Sequence, residues 1–211
     1  MLGKISNENK KLNRDFYSKD PISVAKNLLG KILIHKIDEK NLIKGLIVET
    51  EAYTGIDDKA CQTFSGRRTE RNETMWGQEG HAYVYMTYGI HYLLNVVTEA
   101  PELPSAVLIR AVSILNPSNL VYKNRYGLTF ENLSKYQIKN LSNGPGKLTK
   151  AMGIDKKFNG IDLTGDKLYI EKGISDFEIV KSKRIGIDYA EEAKDYLYRF
   201  YIKGNKDVSK L

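Results

Sequence analysis

Ile47-Val48-Glu49-Thr50-Glu51-Ala52-Tyr53 is the stretch on which the reading of this chain turns. Apolar residues lead into two carboxylates and an aromatic at alternate positions, the pattern of a β-strand. With a period of two, Glu49, Glu51 and Tyr53 share one face, and Val48, Thr50 and Ala52 share the other. Two acids on one strand face are costly to bury unless that face lines a cleft or meets cations. Arg110 lies inside the apolar run Val107-Leu108-Ile109-Arg110-Ala111-Val112. Buried there it needs an acidic partner, and Glu49 and Glu51 are the candidates.

Upstream of this strand, residues 31–37 alternate as a second strand, and Asp38-Glu39-Lys40-Asn41 turns it into a hairpin with residues 42–53. Asp20-Pro21 opens a short helix with Ile22, Ala25, Leu28 and Leu29 on one side, and Gly30 ends it. Downstream, residues 82–86 and 91–97 read as strands joined by a tight turn at Thr87-Tyr88-Gly89-Ile90. Tyr88 is thereby placed at a hairpin tip, with His91, Leu93, Asn95 and Val97 on one face of the returning strand. A further strand spans 105–112, where Leu108 and Arg110 point the same way. A helix is expected over 117–126. A second, from about 147 to 152, follows the turn Asn143-Gly144-Pro145-Gly146. Short strands at 168–170, 178–180 and 198–202, with a helical turn from Glu191, complete an α+β pattern. No linker interrupts it, so the expectation is a flexible segment at 1–13 and one domain over 14–211.

The 211 residues carry 33 basic and 26 acidic side chains, a formal net charge of +7. A lysine-rich residue usage and a polyanion-binding surface account for that excess equally well. Cys61 is the only cysteine, which excludes an intramolecular disulfide and a cysteine-based metal site. The first residues are polar and lysine-rich with no apolar segment of signal or membrane-spanning length, so a cytoplasmic protein is expected. His35, His81 and His91 lack the spacing of a zinc site.

Residues 54–80 form a long, charged, weakly periodic stretch. Arg67, Arg68 and Arg71 lie among Thr63, Ser65, Thr69 and Asn72, a mixture suited to phosphate contacts, although a solvated surface loop explains it as well. Gly144-Pro145-Gly146-Lys147 is not a P-loop: Leu141 stands where the first glycine belongs, and Leu148 follows the lysine. Lys147 at a helix start could still hold a DNA phosphate. Glu49, Glu51, Asp57 and Asp58 offer hard-cation ligands, as in a magnesium-dependent nuclease. Turn preference explains Asp57-Asp58 as readily. Tyr83 and Tyr85 on one face suit a sheet core. Tyr88 at a hairpin tip has little to pack against and suits a wedge between stacked bases.

Glu49-Thr50-Glu51-Ala52-Tyr53, Arg71-Asn72, Tyr83-Val84-Tyr85 with Tyr88-Gly89, Asn95, the strand ending in Arg110, Gly144-Pro-Gly-Lys-Leu and Arg184-Ile-Gly-Ile occur in this order. Together they resemble the alkyladenine (3-methyladenine) DNA glycosylase family, the monofunctional methylpurine glycosylases. The likeness runs from about Leu12 almost to the C-terminus. It implies a single mixed domain around a curved antiparallel sheet with surrounding short helices. It also implies a monomer that acts on double-stranded DNA with damaged purines, using no cofactor and no metal. Carried onto this chain, Glu51 resembles the general base that activates water, with Arg110 and the backbone at Ile185 holding that water. Tyr88 resembles the residue that fills the gap left by an extruded nucleotide. Tyr53, Gln62, Tyr83, Tyr85, Asn95 and Leu108 correspond to the base pocket, with Asn95 crowding the amine of normal guanine. Arg67, Arg68, Arg71, Asn72 and Lys147 are the expected DNA-backbone contacts.

A base inside a duplex is out of reach, so such chemistry requires flipping it out at a cost of a few kcal/mol. Aromatic stacking returns roughly 1–3 kcal/mol per base. An oxocarbenium-like transition state is stabilised by an ionised carboxylate. One departure stands out: Gln62 occupies the position where the family often has histidine. Glutamine donates and accepts but does not become cationic near neutral pH. Cleavage of cationic 3-methyladenine is therefore expected to survive better than cleavage of neutral lesions.

Overall fold

The computed structural model describes residues 10–210. The flexible segment expected at the N-terminus lies outside them up to residue 9. From Lys11 the chain is already attached: Lys11 bridges Glu171, and Leu12 N–H donates to Ile170 O at 2.8 Å. Leu12, inside the segment expected to be flexible, is buried.

The first helix, α1 (Pro21–Leu28), starts where the sequence places it: Asp20 caps it by accepting from Ser23 N–H at 2.9 Å. Val24, Ala25 and Leu28 form its buried face. Gly30 turns the chain out with φ +75°, and a Cβ there would lie 2.4 Å from Ile174 O. Two strands follow as the expected hairpin, β1 (Ile32–Lys36) and β2 (Leu42–Tyr53). After the loop come β3 (Ala82–Thr87), β4 (His91–Thr98) and β5 (Ser105–Ile114). Then come α2 (Asn119–Tyr126), α3 (Lys135–Lys139) and α4 (Pro145–Met152). The last strands are β6 (Leu168–Glu171), β7 (Ile179–Ser182) and β8 (Arg199–Ile202). Helix α2 begins two residues later than expected and α4 two residues earlier, with Pro145 as its first residue.

All eight strands join one curled antiparallel sheet in the order β3-β4-β5-β2-β1-β6, with β8 between β2 and β7. The long strand β2 organises it. One edge of β2 pairs with β5 along its length; the other pairs with β1 up to Leu46 and with β8 from Glu49. The β2–β5 register slips around Val48: Ile47 faces Val112, Glu49 faces Ala111, and Thr50 faces Ile109. This irregularity lets the consecutive residues Ile47 and Val48 both enter the core, which strict alternation forbids. It also leaves Arg110 opposite the gap between Glu49 and Thr50.

The two faces of the sheet have different fates. Val48, Ala52, Ala82, Val84, Leu94, Val96, Val107, Ile109 and Ala111 point into the main core with α1, α2 and α4. Each large aliphatic chain buried there contributes about 1.5–3 kcal/mol. The alternate residues Tyr53, Tyr83, Tyr85, Val97 and Ala106 pack on the opposite face with Cys61 and Met75 from the long loop. This is one domain with a helix-covered face and a loop-covered face. No helix among the described residues is long and apolar enough to cross a membrane.

Candidate active site

The loop-covered face opens into a cleft of about 670 Å³, lined among others by Tyr53, Gln62, Tyr83, Tyr85, Asn95, Leu108, Arg110 and Ile185. The strand period explains the grouping. Asn95 on β4 pairs with Tyr83 on β3 and Leu108 on β5, so one row across three strands faces the same way.

Beneath the cleft lies Glu51, with no exposed surface. Arg110 Nη1 donates to its Oε2 at 3.1 Å, Tyr53 hydroxyl donates to the same oxygen at 3.0 Å, and Ile185 N–H donates to Oε1 at 2.8 Å. These three donors satisfy both oxygens of the side chain. They come from three elements: β2 itself, β5 and the segment after β7. Arg110 also reaches Glu49 through Nε at 3.0 Å, so both acids on the strand share one guanidinium. Burial opposes the charge of Arg110, but the two carboxylates outweigh it and hold its pKa above the ordinary value. Tyr53 is pushed well above the usual phenol range, by burial first and then by the charge of Glu51, so it remains a donor.

The walls are aromatic. Tyr83 and Tyr85 stack with centroids 5.1 Å apart, and Tyr83 hydroxyl donates to Gln62 Oε1 at 2.8 Å. Burial raises Tyr85 to about 12. Asn95 is buried and donates to Tyr83 O at 3.1 Å. Arg184 lies 4.8 Å over the Tyr53 ring and pairs with Asp58 through both terminal nitrogens. The same guanidinium donates to Ala52 O and Ala193 O, which fixes the segment carrying Ile185. At the rim, Tyr88, Gly89 and Ile90 join the paired residues Thr87 and His91, with left-handed φ values at Tyr88 (50°) and Gly89 (70°) that make a tight three-residue hairpin loop. Tyr88 stands 87% exposed at its tip.

The family model for methylpurine-DNA glycosylase matches residues 15–206. The chain belongs to this family. Among similar curated proteins, one from Clostridium novyi (strain NT) is 54% identical over 201 residues, 95% of this chain and 99% of the relative. One from Clostridium acetobutylicum is 54% identical over 202 residues, covering 95% and 98%. One from Desulfitobacterium hafniense (strain Y51) is 50% identical over 201 residues, covering 95% and 98%. All three carry the name "Putative 3-methyladenine DNA glycosylase".

In this chain the expected DNA-backbone residues do not behave alike. Arg67 is exposed at the cleft. Arg71 donates to Met86 O at 2.9 Å and lies 5.1 Å over the Tyr85 ring, on the outer wall. Arg68 is tied to Glu73 and Glu102 and lies over Trp76. Lys147 donates to Asn140 and Asn143 side chains at the cleft edge, where burial and then Arg125 lower its pKa. Asn72 lines the cleft as well. It is buried, its oxygen accepts from Thr69 N–H, and its amide donates to Gln62 O and Arg67 O. Its work is to fold the loop, which a sequence reading cannot separate from binding.

The nuclease arrangement is not formed. Asp58 is paired with Arg184 and Glu49 with Arg110 and Arg199, while Asp57 is exposed in a turn. Among the described residues no three His, Cys, Asp or Glu side chains converge as a metal site would require. The Ile185 N–H, expected beside the attacking water, donates to Glu51. Sequence reasoning also missed Arg199, Ser209 and Tyr189. Tyr189 lines the cleft from a segment with no strand or helix periodicity.

Proposed function

We propose that this chain flips alkylated purines, 3-methyladenine above all, out of duplex DNA and hydrolyses their N-glycosidic bond, leaving an abasic site. One observation carries the reading: Glu51 is gripped by Arg110, Tyr53 and the Ile185 N–H directly beneath a tyrosine-walled cleft that these three residues line. A cleft of about 670 Å³ accommodates a purine and part of its sugar. Tyrosine faces attract the positive charge of a 3-methylated adenine. In this reading Asn95, buried on the cleft wall, crowds the exocyclic amine of a normal guanine and so disfavours it.

In this mechanism Glu51 takes a proton from water as the water oxygen bonds to C1′. The C1′–N bond breaks, and its electron pair leaves with the base. A cationic 3-methyladenine departs neutral and needs no proton from the protein. Positive charge developing on the sugar is stabilised by the Glu51 carboxylate. Tyr88 fills the vacated stack, and the protein works as a monomer and a monofunctional glycosylase.

The test uses duplex DNA carrying 3-methyladenine, with wild type and Glu51→Gln, in EDTA. Wild type alone should release free 3-methyladenine, with strand breaks appearing only after alkali. Breaks without alkali, or activity restored only by magnesium, would overturn the reading.

A further inference from the structure

Neither Glu49 nor Glu51 is among the residues lining the cleft and both are fully buried, and Glu49 takes four hydrogen bonds. Its Oε1 accepts from Arg110 Nε at 3.0 Å, Arg199 Nε at 2.7 Å and Ser209 hydroxyl at 2.8 Å, and its Oε2 accepts from Ser209 N–H at 2.6 Å. Two carboxylates and two guanidiniums thus form a neutral buried quartet of Glu49, Glu51, Arg110 and Arg199. Such a quartet is tolerable only when every member is satisfied.

The segment 205–210 completes it. Ser113 hydroxyl, three residues beyond Arg110 on β5, donates to Asp207 Oδ2 at 2.6 Å. Val208 is buried, Ser209 bonds Glu49 on β2, and Lys210 O accepts from Arg199 Nη2. The segment therefore laces β5 and β2 together on either side of Arg110.

We infer that Ser209, acting through Glu49, is a positioning residue for Arg110, so that this segment sets the rate of chemistry without touching DNA. The inference rests on the glycosylase reading. Arg110 is held in its plane by two carboxylates, at Nε by Glu49 and at Nη1 by Glu51. Without Ser209, Glu49 Oε2 loses the N–H that fixes it. The carboxylate can then swing toward Arg199, and Arg110 pivots away from Glu51. A misplacement of this size in a catalytic group lowers the rate while leaving substrate affinity alone.

The experiment compares wild type, Ser209→Ala, Ser209→Thr, Ser209→Pro and the exposed neighbour Lys206→Ala by single-turnover release of 3-methyladenine. Binding to duplex with an abasic analogue and thermal midpoint are measured alongside. Ser209→Pro, which lacks both donors, should slow release about tenfold or more, and Ser209→Ala by less. Ser209→Thr keeps both donors and should recover the rate, and Lys206→Ala should match wild type. Affinity should change by less than about twofold throughout. In parallel, nitrogen NMR should show the Arg110 and Arg199 Nε–H signals protected in wild type and shifted and fast-exchanging in Ser209→Pro. An unchanged rate and unchanged arginine signals in Ser209→Pro and Ser209→Ala would overturn the inference. Absence of base release from wild type would instead overturn the glycosylase reading, and the arginine signals would still decide whether Ser209 positions Arg110.

Discussion

Tyr53 and Glu51 meet two positions apart on one strand: the phenol donates to Glu51 Oε2 at 3.0 Å, beside the bond from Arg110 to the same oxygen. Tyr53→Phe keeps the ring under Arg184 but removes this donor. Base release should fall about tenfold, the loss of roughly 1.4 kcal/mol of transition-state stabilisation, with DNA affinity unchanged. Single-turnover kinetics beside a binding isotherm check this. An equal rate would remove the hydroxyl from the catalytic set.

Tyr88 touches little of its own protein, so Tyr88→Ala should leave the thermal midpoint unaltered. Its loss from a base stack should weaken binding to lesion DNA by about 1–3 kcal/mol, roughly tenfold to a hundredfold. Fluorescence of a 2-aminopurine next to the lesion reports flipping directly. Full signal from the variant would rule out the wedge.

Gln62 accepts from Tyr83 hydroxyl at 2.8 Å, so it props an aromatic wall and carries no charge. Gln62→His should retain 3-methyladenine release and raise the rate on neutral hypoxanthine several-fold, since histidine can bear a proton near neutrality. The ratio of the two rates, measured on matched duplexes, is the quantity to follow.

Asp58 and Arg184 are both fully buried as side chains and pair through two nitrogens. Asp58→Ala leaves the guanidinium unpaired and should cost about 3–5 kcal/mol in urea unfolding. Base release should fall with it even where the fold survives, because the segment bearing Ile185 is loosened. A cost below about 1 kcal/mol would show the pair to be dispensable.

His35 is buried against Phe158, with Nδ1 2.7 Å from Met152 O, and burial holds its pKa below the ordinary value. Unfolding lets it take up a proton, so its contribution is fully present above the unfolded value near 6.5 and is lost as pH falls toward the lower folded value. Stability should decline from about pH 7 toward pH 5 by at most ~1.4 kcal/mol per unit from this group. His35→Asn should flatten that slope in urea titrations at several pH values. An unchanged slope would assign the decline to other groups.

Much of the sheet was legible because period-two alternation survives in β2 from Val48 onward and in β3 to β5: the residues expected to share faces do so, and Tyr88 falls at the turn. The helix start at Asp20 was likewise visible, since capping preferences are local, whereas Pro145, read as part of a turn, opens α4. What escaped the reading was non-local. Asp58 looked like a turn residue and is a buried ion-pair partner of a residue 126 positions away. Asn72 was read only as a phosphate ligand, and its hydrogen bonds within its own loop were not foreseen.

The sequence by itself determined the alternation that puts Glu49, Glu51 and Tyr53 on one face, the need of Arg110 for an acid, and the family. Only the tertiary structure decided that both acids share Arg110, through a register slip at Val48. It alone showed Arg199 and Ser209 completing the charge balance from the far end of the chain, and Ile185 N–H closing on Glu51. The reason is physical: side-chain period is a local property of the backbone. Buried charges are satisfied by whatever donors the folded chain brings within hydrogen-bond reach, at any distance in sequence.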